Sequence, residues 1–422
     1  MTRIKITPTK LEGTVAIPPS KSMAHRAILC ASLAKGKSRI DHIEYSQDIL
    51  ATIAAMQALG TIIETFEDYL LIDGSTTFTK KQSLIDCKES GSTLRFMIPV
   101  SLVKQGSRHF IGEGNLGKRP LDVFYHIFDE QHIDYSYQKD ILDLHIEGKL
   151  QPGIFVIPGN ISSQFITGLL YALPLLDGDS KIILSSPLES VGYIDLTLQM
   201  LEKYGIHIEN HQHQEYLIRG NQTYQAQDYY VEADYSQAAF YLVAGALGND
   251  VTLKGLNIHS LQGDKEGLEI LERMGATITH QGDLLKVNVN KLHPTTIDGS
   301  QCPDIIPVFS LLASLIQGQS EVVNAGRLRI KECDRLKAMY NELTKLGVKV
   351  IEHSDGLTIN GVTCLSGGEL STYNDHRIAM TLAIASTVSS QKIILDNKEC
   401  VKKSYPSFWE DFEKLGGKID EC

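Results

Sequence analysis

The strongest candidate for chemistry is a charged stretch, residues 329–335, which reads Arg-Ile-Lys-Glu-Cys-Asp-Arg. Apolar residues follow it at helical spacing, so we predict that the stretch lies at the N-terminus of a helix that ends at Gly347. Cations suit the partial positive charge of a helix N-terminus poorly, and Lys331 and Arg335, four residues apart, would also repel one another. A bound anion would relieve both penalties. The simpler alternative is a solvated charged turn.

Polar residues elsewhere could serve the same anion. They lie in short loops that precede apolar runs: Lys21, Ser22 and Arg26; Gly91 and Arg95; Lys118 and Arg119; Ser162, Ser163 and Gln164; Arg377; and Lys403. Gly91 would let a ligand approach the backbone closely, although a plain turn is an equal interpretation of its loop. The serines have an alternative role as helix caps, and the cations an alternative as exposed surface residues.

Composition limits the classes to which the chain can belong. With 422 residues, 42% of them hydrophobic, the chain is long enough for two domains with their own cores. Its net charge of -11 disfavours nucleic acid and acidic membrane surfaces as partners. The seven scattered cysteines form no C-x-x-C pair, which predicts a reducing, cytoplasmic location and no zinc site. The first residues lack the apolar core of a signal peptide, and no run approaches the roughly 18 apolar residues of a membrane span.

Two other kinds of site have little support. His207, His211 and His213 form a possible metal group, but a solvated strand and turn is the favoured interpretation. No Walker loop and no strand-linked G-x-G-x-x-G is present, so nucleotide binding is not expected.

The elements that must position these residues recur along the chain. An amphipathic helix, a glycine and an alternating strand repeat at Gly60, His132, Gly205, Gly275, Gly347 and Gly416, with steps of 72, 73, 70, 72 and 69 residues. Glycine suits the left-handed conformation that often ends a helix, and only His132 departs from it. A second series of polar stretches, at positions 21, 91, 163, 235, 304 and 376, precedes apolar helical runs. We therefore predict six repeated α/β units, in two groups of three, whose helix N-termini can converge on a small polyanion.

In this order the motifs resemble those of the 5-enolpyruvylshikimate-3-phosphate synthase family of enolpyruvyl transferases. The matching stretches cover almost the whole chain: residues 19–22, 90–92, 117–120, 162–164, 232–236, 262–264, 329–335, 375–377 and 403–406. The resemblance implies a two-lobed enolpyruvyl transferase fold of the inside-out α/β barrel type, with three repeated α/β units in each lobe. The first lobe would comprise residues 19–232, and the second lobe residues 1–18 and 233–422.

The resemblance also implies an activity. The enolpyruvyl (1-carboxyvinyl) group of phosphoenolpyruvate would pass to the 5-hydroxyl of shikimate 3-phosphate with release of phosphate, the sixth step of the shikimate pathway to chorismate and aromatic amino acids. No metal or organic cofactor is expected. The partners would be these two small molecules, not nucleic acid or membrane, and the chain would act as a monomer. The herbicide glyphosate would compete with phosphoenolpyruvate.

Site residues follow from the resemblance, position by position. Phosphoenolpyruvate would be bound by Lys21, Gly91, Arg119, Gln164, Arg335, Arg377 and Lys403. Shikimate 3-phosphate would be bound by Ser22, Arg26, Ser162, Ser163, Gln164, Ser190, Tyr193, Asp304 and Lys331. Asp304 would be the proton acceptor, kept ionised by neighbouring cations, and Glu332 the proton donor, with Lys21 as a further catalytic residue. Departures at Glu89, Ser92, Gly192 and Leu328 concern pocket details.

Two alternatives remain open. UDP-N-acetylglucosamine enolpyruvyl transferases share the fold and mechanism, but they carry a cysteine where this chain has Gly114 and an asparagine where it has Ser22. A non-catalytic two-lobed binder of small anions would keep the cations without needing Asp304 and Glu332 together.

Overall fold

A computed structural model describes residues 2–289 and 291–422. By the contacts between residues the chain divides into two compact units. The first unit is Lys21–Val231. The second unit consists of the N-terminal residues as far as Ser20 together with Glu232–Cys422. These boundaries differ by one or two residues from the lobe boundaries that the family resemblance implies.

Helices are spread evenly over the two units. In the described part of Lys21–Val231 they are α1 (Lys21–Leu33), α2 (Gln47–Leu59), α3 (Gly91–Ser101), α4 (Asp122–Gln131), α5 (Ser163–Ala172) and α6 (Val191–Lys203). In the other unit they are α7 (Tyr235–Ala246), α8 (Glu266–Arg273), α9 (Ile306–Ala313), α10 (Arg335–Lys345), α11 (His376–Ser386) and α12 (Phe408–Lys414).

Strands alternate with these helices. Up to Val231 the described strands are β1 (Ile4–Thr7), β2 (Glu12–Ala16), β3 (Lys37–Asp41), β4 (Ile62–Thr65), β5 (Tyr69–Asp73), β6 (Gln82–Asp86), β7 (Gly106–Ile111), β8 (Asp134–Tyr137), β9 (Asp143–Gly148), β10 (Ile154–Ile157), β11 (Ser180–Leu184), β12 (Ile208–His211), β13 (Glu215–Ile218) and β14 (Tyr229–Tyr230). The later strands are β15 (Asp250–Lys254), β16 (Ala276–Gln281), β17 (Leu284–Val289), β18 (Thr296–Asp298), β19 (Gln319–Val323), β20 (Lys349–Glu352), β21 (Leu357–Asn360), β22 (Gly368–Leu370), β23 (Ile393–Leu395) and β24 (Lys418–Glu421).

Every four-stranded sheet follows one plan. Lys21–Val231 holds the sheets β14-β3-β5-β4, β6-β7-β9-β8 and β10-β11-β13-β12, and the other unit holds β2-β15-β17-β16, β18-β19-β21-β20 and β22-β23-β1-β24. In each, the first pair is parallel and the other pairs are antiparallel. The N-terminal segment supplies β1 and β2 to sheets of the second unit, which explains why that unit is discontinuous in sequence.

The repeat predicted from local signals is present. The predicted helix-ending positions Gly60, His132, Gly205, Gly275, Gly347 and Gly416 all have positive φ. At His132 a non-glycine residue adopts φ 54° and ψ 42°, so the turn is kept without glycine. Helices begin at five of the positions in the second series, and α9 begins two residues after Asp304.

The helices α1, α3 and α5 form the interior of Lys21–Val231, and α7, α9 and α11 form the interior of the other unit. The sheets lie outside them, and helices such as α4 and α8 also keep an exposed face. Every residue of α7, α9 and α11 is buried, whereas strands such as β10 alternate exposed and buried residues. A helix that is buried on all sides must be surrounded by other elements, and a strand with one wet face must lie outside them. Each unit has its own apolar core. Among the described residues, the helices are all too short or too polar to cross a membrane.

Candidate active site

Lys21, the first residue of α1, is held by a buried acid. Its Nζ lies 2.8 Å from Asp48 Oδ2 in the first turn of α2, where Asp48 is only 4% exposed. Ser46 caps α2 by accepting a hydrogen bond from the Ile49 N–H. The capped helix therefore fixes the carboxylate that orients the lysine.

Arg26 lies one turn further along α1 and is almost fully buried. Its guanidinium donates to the Ser22 carbonyl at 2.7 Å, to the Tyr193 carbonyl at 2.8 Å and to Thr197 Oγ1 at 3.0 Å. Burial lowers the pKa of Arg26 from its usual value. The structure thus brings together three residues predicted for shikimate 3-phosphate: Ser22, Arg26 and Tyr193.

Gly91 and Arg119 are in close contact. Gly91 is the first residue of α3, and a Cβ built on it would lie 2.6 Å from Arg119 Nη1 and 2.8 Å from Cζ. No left-handed φ requires glycine here, so the constraint is space next to a guanidinium. The two residues predicted for phosphoenolpyruvate are therefore neighbours.

Gln164 connects two further site loops. Ser162 is the N-cap of α5, Ser163 is the first helical residue, and Gln164 follows. The Gln164 side chain donates to Ser92 Oγ at 3.0 Å and accepts from Arg95 Nη1 at 3.0 Å. Ser92, a departure from the family pattern, thus helps to hold a predicted ligand residue.

Ser190 is strained. It precedes α6 with φ 57° and ψ 49°, a left-handed conformation that is uncommon for a residue other than glycine, and it is buried. Strain of this kind is concentrated at ligand sites, where the surrounding structure enforces it.

The charged stretch at 329–335 differs from its prediction. A 3₁₀ helix over Gly326–Ile330 ends before Lys331, which is extended, and Asp334 is the N-cap of α10. Lys331 and Arg335 are therefore not neighbours on one helical turn, and that part of the prediction is wrong. The two cations still lie close together, because both contact Asp304, and Arg335 disfavours the charged form of Lys331. Arg329 lies outside the anion site, since its Nη1 pairs with Asp334 at 2.7 Å and with Glu352 at 2.9 Å.

Arg335 is the centre of the charged cluster in the second unit. Its side chain is 2% exposed, and its Nη1 lies 3.0 Å from Asp304 Oδ1. Its Nη2 lies 2.9 Å from Glu332 Oε2, and its Nε lies 2.8 Å from Asp375 Oδ2. One buried guanidinium thus binds three carboxylates from different parts of the chain.

Three more cations surround these acids. Lys331 Nζ lies 3.6 Å from Asp304 Oδ1, and Arg377 Nη2 lies 3.5 Å from Asp304 Oδ2. Lys403 Nζ lies 3.6 Å from Glu332 Oε1. The cation cluster, defined as Lys331, Arg335, Arg377 and Lys403, therefore outnumbers the acids Asp304, Glu332 and Asp375 by one.

Burial and the neighbouring charges shift the pKa values of Asp304 and Lys331. Burial works to raise the pKa of Asp304, but Lys331, Arg377 and Arg335 outweigh burial and hold that pKa well below the usual value of a carboxyl. Burial lowers the pKa of Lys331 to about 8, although Asp304 favours its charged form. Asp304 is therefore an ionised base, and Lys331 can lose its charge within a moderately alkaline range.

Sequence reasoning assigned no role to some residues that organise the site. Asp48 and Asp375 bind Lys21 and Arg335, and the Ser236 carbonyl and hydroxyl each accept from Arg377 at 2.7 Å. A feature of the sequence could have pointed to both acids. Each lies at the start of a helix, where acids are favoured.

The histidines 207, 211 and 213 do not converge on one point. Each has its own acidic neighbour: Glu202 for His207, Glu209 and Glu215 for His211, and Asp195 for His213. Among the described residues, the group that could hold a metal is instead His109, Asp143 and His145.

Comparison with known proteins shows the family of the chain. The sequence model of the family EPSP synthase (3-phosphoshikimate 1-carboxyvinyltransferase) matches residues 6–412. The 3-phosphoshikimate 1-carboxyvinyltransferase of Clostridium perfringens (strain SM101 / Type A) is 56% identical over 423 residues, which cover 100% of both chains. The protein of the same name from Clostridioides difficile (strain 630) is 56% identical over 434 residues, which cover 100% of this chain and 99% of that one.

Solved structures match the fold. The EPSP synthase of Acinetobacter baumannii aligns with a TM-score of 0.81 and 24% identity over 100% of both chains. The enolpyruvyl transferase NikO of Streptomyces tendae aligns with a TM-score of 0.82 and 16% identity over 100% of this chain and 98% of that one. The predicted fold and the predicted family are confirmed. The chain belongs to the EPSP synthase (3-phosphoshikimate 1-carboxyvinyltransferase) family.

Proposed function

We propose that the chain transfers the 1-carboxyvinyl group of phosphoenolpyruvate to the 5-hydroxyl of shikimate 3-phosphate, with Asp304 and Glu332 as the proton carriers. The observation that carries the proposal is the Arg335 centre, where one buried guanidinium binds Asp304, Glu332 and Asp375. Each substrate has a carboxylate and a phosphate, so the enzyme must neutralise several negative charges while it moves protons. A centre that combines excess cations with ionisable acids suits both tasks.

Asp304 is the proposed proton acceptor. Its low pKa keeps it ionised at neutral pH, because Lys331, Arg377 and Arg335 stabilise the carboxylate. A carboxylate within reach of the 5-hydroxyl takes its proton as the oxygen attacks C2 of phosphoenolpyruvate. The same step adds a proton to C3, and the intermediate then loses phosphate and a proton from C3.

Glu332 is the proposed proton donor. Its carboxylate interacts with Arg335 at 2.9 Å and with Lys403 at 3.6 Å. The same two cations are proposed ligands of phosphoenolpyruvate. When the substrate's anionic groups engage them, Glu332 loses part of its compensating charge and gains affinity for the proton that it delivers to C3.

Residues of Lys21–Val231 supply the remaining ligands in this proposal. Lys21, Gly91, Arg119 and Gln164 would bind phosphoenolpyruvate, and Ser22, Arg26, Ser162, Ser163, Ser190 and Tyr193 would bind shikimate 3-phosphate. The contact between Gly91 and Arg119 supports a shared role for these two residues. The three donor bonds of Arg26 support a rigid, preorganised cation for a phosphate or carboxylate.

The decisive experiment measures phosphate release from phosphoenolpyruvate with two acceptors in parallel. Shikimate 3-phosphate should support turnover, and UDP-N-acetylglucosamine should not, because Gly114 and Ser22 replace the residues that mark that alternative family. Asp304→Asn is the matched control that keeps the shape of the site. Release with UDP-N-acetylglucosamine alone would replace the proposal by the alternative, and binding of both substrates without any release would favour a non-catalytic anion binder.

The oligomeric state and location belong to the proposal as well. We propose that the chain is a monomer and that it is cytoplasmic. The proposed location is supported by the seven cysteines, which are all free thiols, as expected in a reducing compartment. Sedimentation equilibrium of the full chain should give the mass of one chain, 46.7 kDa, at all concentrations. Cell fractionation should recover the activity with the cytoplasm, and recovery elsewhere would contradict the assignment.

A further inference from the structure

Three metal-ligating side chains meet on the exposed face of the sheet β6-β7-β9-β8. His109 on β7 pairs directly with His145 on β9 across the antiparallel ladder, and their rings stack with centroids 3.8 Å apart. Asp143 precedes His145 by two residues and so lies on the same face of the strand. The ligand atoms of these residues all lie within 4.8 Å of one another. None of the three has a role in the proposed reaction.

The geometry is convergent. His109 Nε2 lies 2.6 Å from Asp143 Oδ1, and His145 Nε2 lies 3.4 Å from the same oxygen. Zinc binds imidazole nitrogen and carboxylate oxygen at about 2.0–2.2 Å in a tetrahedral arrangement, so adjacent donors around it lie about 3.4 Å apart. The distance between His145 and Asp143 already has that value, and the hydrogen bond between His109 and Asp143 would have to lengthen. Small side-chain rotations would suffice to form the site, because the ladder already fixes the backbone of all three residues.

The surroundings suit a cation. The side chains of these residues are 35% (His109), 40% (Asp143) and 55% (His145) exposed, so solvent can reach the site and complete the coordination. The strand residues that share this face include the acids Glu147 and Asp134 and no lysine or arginine. A third acid of this face, Asp86, pairs with Lys88 at 2.8 Å. The local field therefore attracts a divalent cation.

The donor set selects the class of metal. Imidazole nitrogen favours zinc, copper, nickel and cobalt, whereas magnesium and calcium prefer sites made of oxygen atoms only. We propose that His109, Asp143 and His145 form a surface site for a divalent transition metal of the zinc class. A bound metal would cross-link β7 to β9 and stabilise the sheet whose strand β7 leads into the loop that carries Arg119.

Zinc titration of the untagged full chain by calorimetry tests the site. We expect one zinc ion per chain in this site. His145→Ala and Asp143→Asn should each weaken its affinity by at least about tenfold, since even an outer-shell partner is worth about 10- to 100-fold. His211→Ala is the matched control, because His211 is also a half-exposed strand histidine next to two carboxylates, Glu209 and Glu215. The His211→Ala variant should bind zinc with the same affinity as the unaltered chain.

A second readout uses stability. Zinc should raise the melting temperature of the unaltered chain and of His211→Ala, but not that of His145→Ala, because a ligand that binds only the folded state stabilises it by mass action. If the unaltered chain does not bind zinc, the proposal is overturned. The proposal is also wrong if His211→Ala and His145→Ala lose affinity equally, since zinc would then bind scattered surface histidines.

Discussion

Glu332 Oε2 lies 2.9 Å from Arg335 Nη2, which ties the proposed proton donor directly to a proposed ligand of phosphoenolpyruvate. The contact between Glu332 and Arg335 therefore joins the residue that would neutralise substrate charge to the residue that would transfer the proton. Removal of either group should disturb the other, so conservative replacements are needed to separate the two roles.

Glu332→Gln and Asp304→Asn should fold normally and lose most turnover. Each amide keeps the shape and can still accept a hydrogen bond from Arg335, but it cannot carry a proton at neutral pH. Positioned acids and bases contribute roughly 100- to 10,000-fold, so kcat should fall by about that factor. Steady-state assays on variants with unchanged circular dichroism check this. More than about a tenth of the original kcat in either variant would exclude that residue as the proton carrier.

Lys331 should impose an alkaline limit on the use of shikimate 3-phosphate. Burial lowers its pKa to about 8, so the folded enzyme carries the charged lysine below that pH and loses it as the pH rises. The value of kcat/KM for shikimate 3-phosphate should therefore fall as the pH passes about 8. Lys331→Arg should move this fall to higher pH, because arginine stays protonated. An identical alkaline limb in both proteins would assign it to another group.

The same shift has a consequence for stability. Between about pH 8 and the usual lysine value of 10.5, the unfolded chain binds a proton at Lys331 that the folded chain does not. The contribution of this residue to the free energy of unfolding therefore rises with pH across that window. Urea denaturation of the two proteins at several pH values measures the difference. Lys331→Arg should lack this rise.

Gly91→Ala should weaken glyphosate binding more than phosphoenolpyruvate binding. The new methyl group would lie 2.6 Å from Arg119 Nη1, so the guanidinium must move. Overpacking costs about 1–3 kcal/mol, which corresponds to about 5- to 150-fold in affinity. Glyphosate is the longer molecule and should tolerate the displacement less well.

The matched control for this variant is Gly153→Ala, where a Cβ would meet nothing within 4 Å. Both the inhibition constant for glyphosate and the KM for phosphoenolpyruvate are measured on each protein. Equal rises at Gly91→Ala would indicate general displacement of Arg119. Unchanged constants would mean that Gly91 does not line the pocket.

Asp48→Asn should raise the KM for phosphoenolpyruvate. The Asp48 carboxylate lies 2.8 Å from Lys21 Nζ and is nearly inaccessible to solvent, so its loss leaves the lysine without its orienting charge. We expect an increase of about tenfold, which corresponds to about 1.4 kcal/mol, while the KM for shikimate 3-phosphate changes less. Asp122→Asn, an exposed acid in the first turn of α4, is the control. Equal changes in both KM values would indicate a structural role for Asp48.

Glu342→Ala should destabilise the second unit. This fully buried carboxylate accepts from the Ser371 N–H at 3.1 Å and from the Tyr373 hydroxyl at 2.8 Å. An unsatisfied donor costs about 1–3 kcal/mol, so the free energy of unfolding should drop by about that amount. Ser371 and Tyr373 belong to the loop that leads directly to Asp375, which pairs with Arg335. The KM for phosphoenolpyruvate should therefore rise too. Glu272→Ala, an exposed change on α8, should alter neither quantity.

The sequence by itself determined the repeat, the family and the residue types of the site. Helix ends such as Gly60 and helix starts such as Lys21 depend on near neighbours, through backbone sterics and capping, so local patterns predict them. Even His132, where the glycine signal fails, keeps the left-handed turn because its position in the repeat is kept.

Only the tertiary structure decided which charges meet. Arg335 binds Asp304 and Asp375, which lie 31 and 40 residues away, and Lys21 binds an acid 27 residues away. These pairings depend on how buried helices pack, and a local pattern does not encode that packing. The same holds for His109 and His145, which are 36 residues apart in the sequence and adjacent only because β7 pairs with β9. Local sterics set the elements, whereas long-range burial and charge set the chemistry.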